Sequence, residues 1–368
     1  MSAEQSRINS LDQFRGYTVL GMFFVNFAGH FKLIPDIFKH HNTYCSYADT
    51  IMPHFFFAVG FAYRLTLLKR LKIEGWQPAY ARVVRRNLGL ILLGMVWYHL
   101  DGKFETWAEL QKLGLAGFMQ TAFQRNVFQT LVHIGVTALW VLPVIAAGPT
   151  MRIAFMTLSG LLHLGLSHWF YYAWVMHRPG IDGGPLGFLT WTIPMIAGSL
   201  AYDMVLPGNQ ARPVARLLAW GLALMLLGYA ISCLNSVFVT GPTTVVGLGE
   251  VFVEPPFVPP TRPVDIWTMS QRAGSLSYLA FGAGLSFAVY ALFVLLCDRN
   301  HLQLGLFRTL GTNALAGYLI HEIVAGAIKP LAPKDAPLWF VVAMIALFLG
   351  ICYLFIRHLE KNKLFLRL

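Results

Sequence analysis

A carboxylate, an imidazole and an amide close together can hold and move a proton, and the N-terminal part of this chain carries all three around one polar loop. The first apolar segment, SLDQFRGYTVLGMFFVNFAGHF, has Asn26 near its far end. The loop that follows carries His40 and His41, and Asp49 opens the next segment, FKHHNTYCSYADTIMPHFFFAVG. Asp12 and Arg15 stand about one helical turn apart at the mouth of the first segment. Polar groups in an apolar helix are costly and mark functional sites by default, and a neutral imidazole suits proton transfer near neutral pH. Structural readings stand beside these. Asp12 and Arg15 fit an interfacial ion pair, and the two histidines fit a solvated loop. Ser46 lies three residues before Asp49, the spacing of a capping box that would start the second helix.

A second constellation lies in GTNALAGYLIHEIV, where Asn313, Tyr318, His321 and Glu322 interrupt an apolar run. Asn313 and His321 are eight residues apart, near two helical turns, so one uninterrupted helix puts both on one face. That face is expected to meet the same cavity as Asn26. His133, His163, His168 and Asp203 read as packing or membrane-edge residues, while His54, after Pro53, fits a structural and a functional role equally. The four cysteines form no metal-ligand spacing, and no metal is expected.

The elements that must position these groups are helices in a membrane. Of the 368 residues 56% are hydrophobic and 12% charged, against about 25% charged in a soluble domain. Apolar runs near the roughly 20-residue bilayer length fall at 16–31, 47–68, 87–100, 127–148, 150–175, 186–206, 214–234, 274–297, 305–328 and 338–357. The expectation is an all-α integral membrane protein, one domain over 1–368, with about ten transmembrane helices and short loops. With both termini cytoplasmic, 17 of the 28 Lys and Arg residues fall on inner segments, as the positive-inside rule requires. The 32–46 loop is then outside and the basic 69–86 segment inside. This topology accounts for the net charge of +11. Nucleic-acid binding is not indicated, because no basic stretch interleaves with aromatics in a soluble segment. A cleaved signal peptide is not expected. Segment 101–126 reads as an interfacial helix, with Thr106 and Glu109 at capping-box spacing. The Pro- and Gly-rich loop at about 235–271 is either a packed connector or a cover over an outer site.

The residues RINSLDQFRGYTVLGMFFVN, FKH and YADTIMPHFFFAVG, followed by HIGVT, GSLSY and GTNALAGYLIHEIV, resemble the heparan-alpha-glucosaminide N-acetyltransferase family of transmembrane acyltransferases. The similarity runs over about residues 7–357, and the core motifs over 7–68 are its specific part. The resemblance implies acetyl-CoA as a co-substrate bound from the cytosolic side and an acceptor on the opposite face. It implies His40 and Asn26 as catalytic residues. His41 is the alternative to His40, because the loop departs from the family pattern. On this reading Asp12, Arg15, Asp49, Asn313, His321 and Glu322 line the substrate and CoA sites. Arg64, inside the second span, is a phosphate or pantetheine ligand, and the 69–86 cluster serves either the CoA phosphates or topology alone. The expected activity is transfer of an acetyl group to an amine or hydroxyl of an extracytoplasmic saccharide or glycolipid, in a bacterial cytoplasmic membrane, with a homodimer left open. The alternative is a transporter or flippase that uses the same polar helices as a passage without acyl transfer.

Overall fold

Ser46 starts the helix on which the rest of the site is hung. Its hydroxyl accepts from the Asp49 amide at 3.3 Å, and the Asp49 carboxylate accepts from the Ser46 amide at 2.9 Å. This reciprocal cap satisfies two of the free amides at a helix start and begins α2, Tyr47–Glu74. The computed structural model describes residues 8–41, 43–98, 104–124, 127–177, 181–206, 212–239 and 251–366. Arg7, the start of the interfacial segment at 101–103, and residues 240–250 of the Pro- and Gly-rich loop lie outside them.

The described residues form fourteen α-helices and no strand. Before α2 comes α1, Asn9–Ala28. After it come α3 (Trp76–Tyr98), α4 (Trp107–Gln124), α5 (Thr130–Val141) and α6 (Pro149–Leu166). A π-helical turn, Ser167–Tyr171, joins α6 to α7, Tyr172–Met176. Then follow α8 (Phe188–Val205), α9 (Pro213–Ser232), α10 (Leu234–Val239) and α11 (Leu276–Phe293). The last three are α12 (Gly305–Thr312), α13 (Ala314–Ile328) and α14 (Leu338–Lys361). Among the described residues, six helical segments are long and apolar enough to cross a membrane: Tyr47–Glu74, Pro149–Met176, Pro213–Phe238, Leu276–Arg299, Ala314–Leu331 and Leu338–Lys361. The other four predicted segments are helical too, in α1, α3, α5 and α8.

Exposed leucines recur every fourth residue on the outer helices, as at Leu218, Leu222 and Leu226 on α9, while α2, α8 and α11 fill the interior with Phe56, Phe57, Phe61, Trp191 and Phe287. An apolar exterior of this kind is stable when its surroundings are lipid rather than water. Thr106 accepts from the Glu109 amide at 3.2 Å at the start of α4, where the capping spacing predicts it. The helix kinks at Gly114 and most of its described side chains are exposed.

Helix contacts are set by missing side chains. A Cβ on Gly60 of α2 would stand 1.8 Å from the Met195 carbonyl oxygen of α8, and a Cβ on Gly198 of α8 would stand 1.9 Å from that of Phe57. The two backbones therefore touch, as small residues permit between membrane helices, and α2 cannot slide along its neighbour. The predicted ninth segment departs from expectation. It breaks at Asn313, whose backbone (φ −133°, ψ 47°) separates α12 from α13, so Asn313 and His321 do not share one helical face.

Gly60→Val is expected to lower the thermal unfolding midpoint of the detergent-solubilised protein, by the equivalent of about 3 kcal/mol or more, because a backbone contact has no room to relax. Gly165→Ala, at an α6 position with open space around it, is expected to leave the midpoint unchanged or raise it slightly, since Ala favours a helix interior by roughly 0.5–1 kcal/mol.

Candidate active site

The Asp49 side chain is fully buried, and its second carboxylate oxygen is aimed out of the cap. Oδ2 accepts from the Ser46 amide, with the Ser46 hydroxyl also at 2.9 Å, while Oδ1 accepts from His40 Nδ1 at 2.8 Å. An ionised carboxylate is an acceptor only, so His40 carries its proton on Nδ1 and turns Nε2 away from α2. Nε2 lies 3.1 Å from Asn26 Oδ1, near the end of α1. The other side of that amide, Nδ2, lies 3.0 Å from His321 Nε2 on α13. His321 Nδ1 donates to the Tyr318 carbonyl at 2.5 Å, and the Glu322 carboxylate stands 3.2 Å from His321 Nε2. Four elements thus contribute to one continuous series: Asp49, His40, Asn26, His321, Glu322.

The series borders a cavity of about 610 Å³, within the usual range of small-molecule sites. His40, Asn26 and Glu322 line it, as do Tyr318, Lys39 and Lys329. Tyr318 is held by a hydroxyl–hydroxyl bond of 2.9 Å to Tyr98, which itself accepts from the Leu131 amide. His41 also lines the cavity, but its Nε2 donates to the Asp36 carbonyl at 2.8 Å and its ring stacks on Tyr44. Only His40 of the two is paired with the buried carboxylate.

Two cavity residues carried no sequence signal, Asp182 and Gln271. They meet where the loop before α8 crosses the end of the Pro-rich loop. Gly183 (φ 82°) and Gly274 (φ 59°) both adopt left-handed backbone there, and a Cβ on either would fall about 3 Å from the other's Cα, so glycine is required at both. Gln271 Nε2 donates to Asp182 Oδ1 at 2.6 Å, and the Trp191 indole donates to the Asp182 carbonyl at 2.8 Å. Burial pushes the Asp182 carboxyl up to about 7, against the opposing pull of the Gln271 bond and the His40 charge. The other described part of the Pro-rich loop is tied to the bundle by hydrogen bonds. The Phe257 amide donates to the Cys45 carbonyl, and the Tyr229 hydroxyl to that of Val253.

The remaining predicted site residues lie elsewhere. Asp12 and Arg15 begin α1, fourteen and eleven residues before Asn26, so at 1.5 Å per residue they stand about 21 and 17 Å from it. Arg64 is fifteen residues beyond Asp49 on α2, about 22 Å away. Its Nε donates to Asp203 Oδ1 at 2.7 Å and its Nη1 to the carbonyls of Ile145 and Ala147. Arg152, fully buried, shares the same Asp203. Asn313 does not face Asn26. Its amide donates to the Leu364 carbonyl at 2.8 Å and its oxygen accepts from the Leu366 amide at 3.1 Å, so it ties down the C-terminal tail at the break between α12 and α13. His54 donates from Nδ1 to Ser286 Oγ, inside the packed core. Among the described residues no group of His, Cys, Asp and Glu is arranged to hold a metal ion.

No family model matches the chain, and no curated protein matches it.

A buried acid whose folded-state pKa is raised stabilises the fold below its ordinary pKa, and that stability is lost as pH rises through the folded value. The unfolding midpoint is therefore expected to fall as pH rises from about 4 to about 7, the window between the ordinary and raised values of Asp182. Asp182→Asn is expected to flatten the melting curve's pH dependence over that window, measured by thermal unfolding at a series of pH values.

Proposed function

We propose that the protein is an integral membrane acyltransferase that moves an acetyl group from cytosolic acetyl-CoA to an amine or hydroxyl of an extracytoplasmic saccharide or glycolipid. The observation that carries this reading is the Asp49–His40–Asn26 series on the wall of the 610 Å³ cavity. The sequence resemblance to heparan-alpha-glucosaminide N-acetyltransferases supports it through the same residues. A ten-helix topology is supported by helix within each of the ten apolar segments, and the cytoplasmic placement of both termini by the count of basic residues. The exposed stripe Leu88, Leu92 and Val96 on α3, outside the six segments long and apolar enough to cross a membrane, fits a lipid-facing helix as well.

The chemistry follows from the hydrogen bonds. Asp49 holds the Nδ1 proton, so Nε2 is the proton acceptor whenever His40 is neutral. The acceptor's nitrogen or oxygen attacks the thioester carbon, and its proton passes to His40 Nε2. Asn26 Nδ2 donates to the thioester oxygen as negative charge develops there. When the carbon–sulfur bond breaks, the CoA thiolate leaves and the proton on His40 is returned to it. General-base help of this kind supplies about 10²–10⁴ in rate, and one oxyanion donor about 10²–10³. Asp182 and Gln271 offer a carboxyl and an amide for the hydroxyls of a sugar. The basic 69–86 segment at the other end of α2 gives CoA phosphates a place to bind.

The deciding experiment supplies purified protein in nanodiscs with labelled acetyl-CoA and a panel of amino sugars and envelope glycans. Acceptor-dependent thiol release is expected. Acceptor movement across a vesicle membrane with no thiol release would replace this reading with the transporter. His40→Ala is expected to lower turnover by about 10²-fold or more with CoA binding retained, and His41→Ala to have a much smaller effect. Full activity in both variants would remove the histidine mechanism. For topology, the four native cysteines are buried, so introduced ones report cleanly. Leu33→Cys, 54% exposed, is expected to react with a membrane-impermeant thiol reagent in intact cells, and Ile73→Cys, 71% exposed, to be protected. The reverse pattern would rule out transfer from a cytosolic donor to an outer acceptor.

A further inference from the structure

The amide of Asn26 lies between two imidazoles whose other nitrogens are already committed. His40 Nδ1 faces the Asp49 carboxylate at 2.8 Å and His321 Nδ1 faces the Tyr318 carbonyl at 2.5 Å. Both partners only accept, so both Nδ1 atoms carry protons. A neutral ring protonated on Nδ1 has only a lone pair on Nε2. The two Nε2 atoms stand 3.1 and 3.0 Å from the two ends of one amide, which offers one acceptor and one donor. Both bonds to the amide are made when one Nε2 is protonated and the other is bare, and the Glu322 contact is made as well when the protonated one is His321. The complete series therefore holds one proton more than two neutral imidazoles.

Two arrangements satisfy this count, related by a half-turn of the Asn26 amide. In the first, Oδ1 accepts from a cationic His40 beside Asp49, and Nδ2 donates to a neutral His321. In the second, Nδ2 donates to a neutral His40, and Oδ1 accepts from a cationic His321, with Glu322 at 3.2 Å as its counter-charge. Asp182 on the neighbouring loop, its carboxyl pushed up to about 7 by burial, adds a titratable group near His40. Lys39, Lys329, His30 and His41 on the cavity wall add positive or titratable groups.

We propose that Asn26 is a two-position switch through which His40 and His321 share a single proton, and that His321, with Glu322, is a positioning residue that keeps His40 neutral. Its role in catalysis rests on the acyltransferase reading; the proton sharing does not. Sites coupled in this way titrate as a pair. Removing His321 or the Glu322 charge sends the shared proton to His40, so His40 becomes neutral only at higher pH.

The test is the pH dependence of His40 carbethoxylation by diethyl pyrocarbonate, which attacks the neutral imidazole, read by mass spectrometry of the His40 peptide in the folded, full-length protein. His321→Phe, packed against Phe23, and Glu322→Gln, 49% exposed, are each expected to raise the midpoint by about one pH unit, the size of effect a near charge has. In an Asn26→Leu background, His321→Phe is expected to add no further shift. Unchanged midpoints in both single variants would overturn the proposal, and so would an equal shift in the Asn26→Leu background, because coupling would then bypass the amide. Glu322→Gln decides the matter if His321→Phe fails to fold. Where acetyl transfer is measured, the acid limb of kcat/KM is expected to move up with the modification curve. A modification shift in a protein that transfers no acetyl group keeps the proton switch and removes the acyltransferase reading.

Discussion

A carboxylate held away from water must have its lone pairs satisfied, or it costs several kcal/mol. Asp49 is in that position, and the local structure follows from how the need is met. One oxygen is occupied by the cap of α2, which the positive end of the helix also favours. The other is left for a single outside donor, and His40 is that donor. Because the cap fixes the carboxylate, and the carboxylate fixes the ring, the free nitrogen of His40 has a set direction. The close contact of α2 with α8 through Gly60 and Gly198 extends that rigidity to the middle of the bundle.

The bundle has two polar ends with different characters. At the Asp49 end, carboxylates, imidazoles and an amide stand within hydrogen-bond distance of one another beside an open cavity. At the far end of α2, Arg64 and Arg152 converge on one carboxylate, Asp203, and on backbone carbonyls. The first end is open and chemically adjustable, while the second has guanidinium groups that do not titrate and are held in place. Groups able to take up and release a proton are concentrated at the first.

What could be read from the sequence was local. The Ser46–Asp49 cap, the Thr106 cap of α4 and the helical state of all ten apolar runs depend on residues a few positions apart. The meeting of Asn26 with His321 spans 295 positions; polar residues in apolar runs hinted at it without saying which would touch. Asn313 was misplaced because helical periodicity assumes an unbroken helix, and Gly-Thr-Asn gives no sign that the chain breaks there to accept the C-terminal tail. Asp182 was missed for the opposite reason. A lone acid in an Ile-Asp-Gly-Gly loop looks solvated, and only the crossing of two glycine-bearing loops buries it.

The π-helical turn at Ser167–Tyr171 has a consequence for how this chain could have changed over time. Such a turn is an α-helix carrying one extra residue. The Tyr171 hydroxyl donates to the Gly183 carbonyl and accepts from the Leu186 amide, so it anchors the loop that presents Asp182. Loss of a single codon within the turn would restore a regular α-helix and leave the helix on either side in register, because the wide turn absorbs the extra residue. Were Tyr171 the residue lost, both of its bonds to the loop that carries Asp182 would go with it, with no substitution at the acid itself.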